Sequence, residues 1–78
     1  MDISAFIVRD PRVSGGAPVF RSTRIPLRTV LASLADGDSE ADILKSFPTL
    51  TRDHLKAAIA FAAAAAVDDM PYAENARK

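Results

Sequence analysis

Residues 15–28, Gly-Gly-Ala-Pro-Val-Phe-Arg-Ser-Thr-Arg-Ile-Pro-Leu-Arg, leave the backbone few ways to run. The glycine pair supplies the positive φ that a tight turn needs, and the β-type residues Val19 and Phe20 follow closely. Arg21 and Arg24 bracket a Ser-Thr turn. Pro26 then fits the first turn of a helix, where its missing N–H would be unpaired in any case. A catalytic loop of this density would carry a nucleophile, a base or a metal ligand. Here the polar side chains are arginines and hydroxyls, the groups that bind phosphates and carboxylates. The stretch reads as a binding surface leading into a helical body.

Upstream, residues 5–8 (Ala-Phe-Ile-Val) and 18–20 (Pro-Val-Phe) are short apolar runs, with Asp10-Pro11 and Ser14-Gly15-Gly16 between them as turn chemistry. They predict a two-stranded antiparallel unit, which residues 23–25 could extend. A ribbon this short is marginal in water, so it must lie on helices, pair with another copy, or both. Downstream, Leu27, Val30, Leu31 and Leu34 form an amphipathic stripe that Gly37 ends as a left-handed cap. Ser39 starts a second helix with Asp42 in capping-box position, and Pro48 stops it. Thr51 starts a third, with Leu50 and Leu55 placed as a hydrophobic staple and Asp53 at the positive helix end. Good helix formers continue to about Met70 before Pro71 closes the run. Asp68 and Asp69 oppose the helix dipole at that end.

These elements predict a mainly α fold: a short N-terminal β-hairpin followed by a three-helix, helix-turn-helix bundle of homeodomain or winged-helix type. A single domain is expected over 1–70, with a β-ribbon arm over 1–25, a three-helix body over 26–70 and a flexible tail over 71–78.

The series Asp10-Pro11, Gly15-Gly16, Pro18-Val19, Thr23-Arg24-Ile25-Pro26, Asp36-Gly37-Asp38-Ser39, Phe47-Pro48 and Leu50-Thr51 resembles a small prokaryotic family, domain of unknown function 433. The resemblance covers roughly residues 3–65, and its most specific parts are the Gly-Gly-x-Pro-Val and Thr-Arg-Ile-Pro segments in that order. Ser22 stands where that family usually has glycine. The resemblance implies a VapB-type antitoxin with a helix-turn-helix fold. It further implies a PIN-like ribonuclease toxin as partner, whose metal-binding acids suit insertion of an arginine.

Composition narrows the class. Seventy-eight residues make too small a core for comfortable stability alone, and much of the 49% apolar content is alanine. Self-association is therefore expected, as a homodimer. Cysteine is absent, which removes disulfides and thiolate metal sites and fits a reducing cytoplasm. No membrane segment or leader is evident. Net charge is zero but unevenly spread. Residues 1–30 hold five arginines against two aspartates, net +3, and residues 31–78 hold five cations against eight acids, net −3. Such a dipolar domain suggests two faces or two partners.

Several constellations have a bland reading beside the chemical one. Gly15-Gly16 lacks the lysine and hydroxyl of a phosphate loop, so a hairpin turn is expected. His54 has no second ligand at metal spacing and reads as a surface helix residue. No catalytic residue, metal site or cofactor is expected, and nothing supports an enzyme. The N-terminal arginines could solvate a ribbon edge and discourage aggregation. Alternatively Arg21, Arg24 and Arg28 with Thr23 grip DNA, or an arginine enters an acidic site on a partner nuclease. Thr51, Arg52, His54 and Lys56 lie in the first two turns of the third helix, where groove contacts arise, although that helix could equally be a core helix. Thr51, Arg52 and Lys56 join the candidate nucleic-acid set. Phe61, Ala62, Ala65 and Ala66, with Met70 and Tyr72, are the candidate partner-binding face. The function expected is an antitoxin of a type II toxin–antitoxin pair that binds its toxin and operator DNA. The alternatives are a protein-interaction module or a stand-alone transcription regulator.

Overall fold

The computed structural model describes residues 1–69, in which a two-stranded antiparallel ribbon precedes three helices. Strand β1 is Ile7–Val8 and β2 is Val19–Phe20, with Ile7 opposite Phe20 and Val8 opposite Val19. The helices are α1 (Leu27–Ala35), α2 (Glu40–Ser46) and α3 (Arg52–Asp69). The mainly helical fold with an N-terminal hairpin is therefore the one expected. No helix among the described residues is long and apolar enough to cross a membrane. Met70, Tyr72 and the expected tail over 71–78 lie outside the described residues.

The ribbon is shorter than its apolar runs suggest, for local reasons. Ala5 belongs to a 3-10 turn, Ile3–Ala5, capped by Asp2, whose carboxylate accepts the Ser4 backbone N–H at 3.1 Å. A short polar side chain offering the backbone this bond diverts it from the strand. Pro18 stays outside β2, and its carbonyl accepts the Leu27 N–H at 3.0 Å. The extension over 23–25 takes the form of a return: the Phe20 N–H donates to the Ile25 carbonyl at 3.0 Å, and Val19 bridges to Pro26. Strand β2 is thus flanked by β1 on one side and by residues 25–27 on the other.

Turn and cap chemistry follows the sequence closely. Gly15 and Gly16 take φ 64 and 88, and Ser14 joins them at φ 51. Pro26 is the N-cap of α1 rather than its first helical residue, with ψ 144 and its carbonyl accepting the Thr29 N–H. Helix α1 ends in a Schellman motif: Asp38 N–H to Ser33 carbonyl and Gly37 N–H to Leu34 carbonyl, with Gly37 at φ 92. The Ser39 hydroxyl caps α2 by accepting the Asp42 N–H at 3.1 Å. Leu50 and Leu55, the expected staple around Thr51, are both buried in the core.

That core joins Ile7 and Phe20 of the ribbon to Leu27 and Val30 of α1, Ile43 of α2, Leu50, and Leu55, Ala57 and Ala58 of α3. Each large side chain here contributes about 1.5–3 kcal/mol by leaving water. The two fully buried alanines have a different role, since their small size lets α3 lie close against its neighbours.

Ser22 holds φ 64 without being glycine. A non-glycine residue in this conformation costs about 1–2 kcal/mol, against glycine's added unfolded-state freedom of roughly 0.5–1 kcal/mol. Ser22→Gly is therefore expected to stabilise the fold by up to about 1 kcal/mol, a rise in Tm of up to about 4–8 °C for a domain this size. Thermal unfolding that shows no rise would mean the turn relaxes without strain.

Candidate nucleic-acid interface

The five N-terminal arginines, close in sequence, do different things in space. Arg12 forms a bidentate pair with Asp10, Nε to Oδ1 at 3.1 Å and Nη2 to Oδ2 at 3.0 Å. This side-chain bond, with a further bond from the Arg12 backbone N–H, holds the Asp10 carboxyl below its ordinary value and raises the Arg12 guanidinium. Arg21 donates from Nε and Nη2 to the Ser4 carbonyl at 3.2 and 2.7 Å, tying the turn after β2 to the N-terminal 3-10 turn. The Arg9 guanidinium lies 6.0 Å from the centroid of the Phe61 ring on α3. Arg24 and Arg28 are exposed and make no hydrogen bond or ion pair among the described residues. Of the five N-terminal arginines, these two are left with neither a polar nor an aromatic partner among the described residues.

They do not share one concavity. Arg24 borders an open depression of about 480 Å³ with Asp10, Ser22 and Thr23. Arg28 borders a separate, nearly apolar groove of about 200 Å³ with Ala17, Pro18, Leu27, Leu31 and Phe61.

Thr23 serves the turn. Its Oγ1 donates to the Phe20 carbonyl at 2.7 Å and accepts the Ile25 N–H at 3.0 Å, so both its bonding capacities close the 20–25 loop. This places Arg24 at the tip of a braced turn. Among the helix α3 candidates, Arg52 pairs with Glu40 at 3.6 Å, and Lys56 is exposed without a partner among the described residues. The groove bordered by Arg28 meets α3 at Phe61, nine residues beyond Arg52, about 14 Å along the helix axis. The structure therefore sets the two cationic groups at separate levels of the same helix.

His54 has a structural role that sequence reasoning missed. Its Nδ1 accepts the Thr51 backbone N–H at 3.0 Å and lies 2.9 Å from Thr51 Oγ1. This is one half of a capping box, with histidine in the place usually held by Glu or Gln, so the Thr51-x-x-His54 spacing is the signal that could have found it. The half-buried ring also meets Phe6 and Phe20 edge-on, at centroid distances of 5.2 and 5.7 Å. Thr51 is thereby engaged at the helix start. Among the described residues no group of three His, Cys, Asp or Glu side chains could hold a metal ion.

In class this is a small ribbon-and-helix domain that presents arginines from a braced loop and an apolar groove beside its last helix. A family model described as protein of unknown function (DUF433) matches residues 7–62, and the chain belongs to that family. It is also similar to the uncharacterized protein y4eO of Sinorhizobium fredii (strain NBRC 101917 / NGR234), at 36% identity over 58 residues. That stretch covers 74% of this chain but 26% of the relative, so the chain spans about a quarter of that protein's length. No solved structure matches the chain.

Because Thr23 braces the loop through both bonds, Thr23→Val is expected to destabilise the fold by about 1–3 kcal/mol through unpaired backbone groups. Denaturant unfolding measures this. A loss confined to ligand affinity, with stability unchanged, would make Thr23 a contact residue instead.

Proposed function

We propose that this chain is the antitoxin of a type II toxin–antitoxin pair, acting in the cytoplasm as a homodimer that neutralises a PIN-like ribonuclease and binds its own operator DNA. The observation that carries the reading is the pair of free guanidinium forks at Arg24 and Arg28, one on the braced loop and one in the first turn of α1. Arginine forks match phosphate and carboxylate geometry, so the same groups suit a DNA backbone or the acidic metal site of a nuclease. The succession α2, a short junction over 47–51 and α3 supports a helix-turn-helix reading, with Lys56 and Arg52 in the first two turns of α3.

A second reading, a protein-interaction module that never touches DNA, is favoured by the zero net charge and by the apolar groove beside Phe61. Salt separates the two, because phosphate binding releases counterions and an apolar interface does not. Binding to the DNA upstream of the gene should weaken steeply with salt. Arg24→Ala with Arg28→Ala should reduce both the affinity and the log–log salt slope, the slope by about one for each phosphate left without its arginine. Fluorescence anisotropy at matched salt measures this, and full affinity in the double variant removes the DNA assignment from these residues. Rescue of a co-expressed neighbouring nuclease tests the toxin half.

A further inference from the structure

The ribbon has two faces, and only one of them meets the core. Side chains alternate along a strand, so the Ile7–Phe20 pair and the Val8–Val19 pair lie on opposite sides. Ile7 and Phe20 join the core, whereas Val19, 1% exposed, stands apart from it. Over Val8 and Val19 lies the open depression of about 480 Å³, with Val13 from the connection between the strands as a further apolar wall. Its size falls within the roughly 300–1,000 Å³ of sites that hold small molecules.

The rim of this depression is polar and its two sides differ. On the turn side stand Ser22, Thr23 and Arg24. Thr23 uses both bonding capacities on the loop. The Ser22 hydroxyl and the Arg24 guanidinium make no hydrogen bond among the described residues, and neither do the backbone N–H groups of these two residues. One braced turn thus offers several unpaired donors and a positive charge, the complement of an oxyanion. Ser22 also keeps φ 64, where glycine would be unstrained. Strain of this kind collects at binding sites, and here it sets a hydroxyl two residues from the arginine. On the opposite side Asp10 is neutralised by Arg12: Oδ1 accepts from the Arg12 backbone N–H and Nε, and Oδ2 accepts from Nη2. Oδ2 keeps a second lone pair for an outside N–H donor.

A ligand that satisfies rim and floor together carries a phosphate, a flat body of low polarity and an amino group. We infer that the depression over Val8 and Val19 binds a nucleoside monophosphate whose base bears an exocyclic amino group. The phosphate meets Ser22 and Arg24, the base lies on the valines, and Asp10 accepts from the amino group, as carboxylates do from cytosine. The inference goes beyond the DNA and toxin reading and does not rest on it. Arg24 serves both, but Ser22 serves this one alone. A chain that ignores duplex DNA and takes the nucleotide would end that reading and keep this one.

Isothermal titration calorimetry of the full chain with cytidine monophosphate tests this. Binding should saturate below millimolar concentration. Cytidine, which lacks the phosphate, should bind at least about tenfold more weakly, and inorganic phosphate, which lacks the base, should also bind more weakly. Uridine monophosphate, with a carbonyl in place of the amino group, should lose roughly threefold or more. Arg24→Ala should lower the affinity at least about tenfold. Ser22→Gly should lower it about threefold or more while the fold gains stability, a combination that a purely structural serine does not give. Arg28→Ala, in the separate groove, should leave binding unchanged. Absence of saturable binding by cytidine monophosphate overturns the inference. So does equal affinity for cytidine, inorganic phosphate or uridine monophosphate, and so does a Ser22→Gly or Arg24→Ala chain that binds as the wild type does.

Discussion

The burial of Val19 and Phe20 is the constraint from which the remaining structure follows. These two residues are 1% and 0% exposed, and their strand is satisfied on both edges. On one edge β1 pairs with it. On the other, the chain turns through residues 21–24 and returns along it before entering α1. A ladder two residues long supplies few hydrogen bonds, each worth only about 1 kcal/mol net, so apolar burial must hold it. The Phe20 ring achieves this by reaching the core and meeting His54 in the first turn of α3. Strand, loop, start of α1 and start of α3 are fixed together by one side chain.

That arrangement explains why neighbouring arginines have unlike roles. A ribbon this narrow has no interior of its own, so its long side chains must brace it from outside. Arg21 spans to the Ser4 carbonyl, and Arg12 closes on Asp10 in the long connection between the strands. Arg24 and Arg28 follow the turn, where Thr23 and backbone bonds already hold the loop. With the loop closed without them, their guanidinium groups face water. The +3 charge of the first thirty residues is thus partly structural, and a count of arginines overstates the cation available to a ligand.

The helices and their ends are legible in the sequence because their signals are local. Gly37, Ser39, Leu50 and Leu55 each act within a few residues, and each does what its position announces. The strand limits are less legible, since Asp2 draws the backbone before β1 into a 3-10 turn through a bond two residues long. Free and engaged arginines look alike in the sequence, because the deciding bond from Arg21 spans seventeen residues. His54 is hidden for a related reason. A search for metal spacing finds nothing near it, whereas its actual partners are a backbone N–H three residues back and two aromatic rings, Phe6 just before β1 and Phe20 in β2.

Helix α3 shows how so small a chain divides one element between two tasks. Its first half supplies Leu55, Ala57 and Ala58 to the core and anchors the helix by tertiary packing. Its second half contains an unbroken run of five alanines, residues 62–66. Alanine holds a helix by intrinsic preference without needing burial, whereas an unanchored helix of this length would be marginal. The anchored half therefore nucleates the helix and the alanine half propagates it outward. A bulky apolar run there would expose a patch prone to aggregate, and a charged run would keep other surfaces away. Alanine gives a rigid, smooth surface of low apolar area, on which any lasting association must draw specificity from the larger and charged residues at its margins.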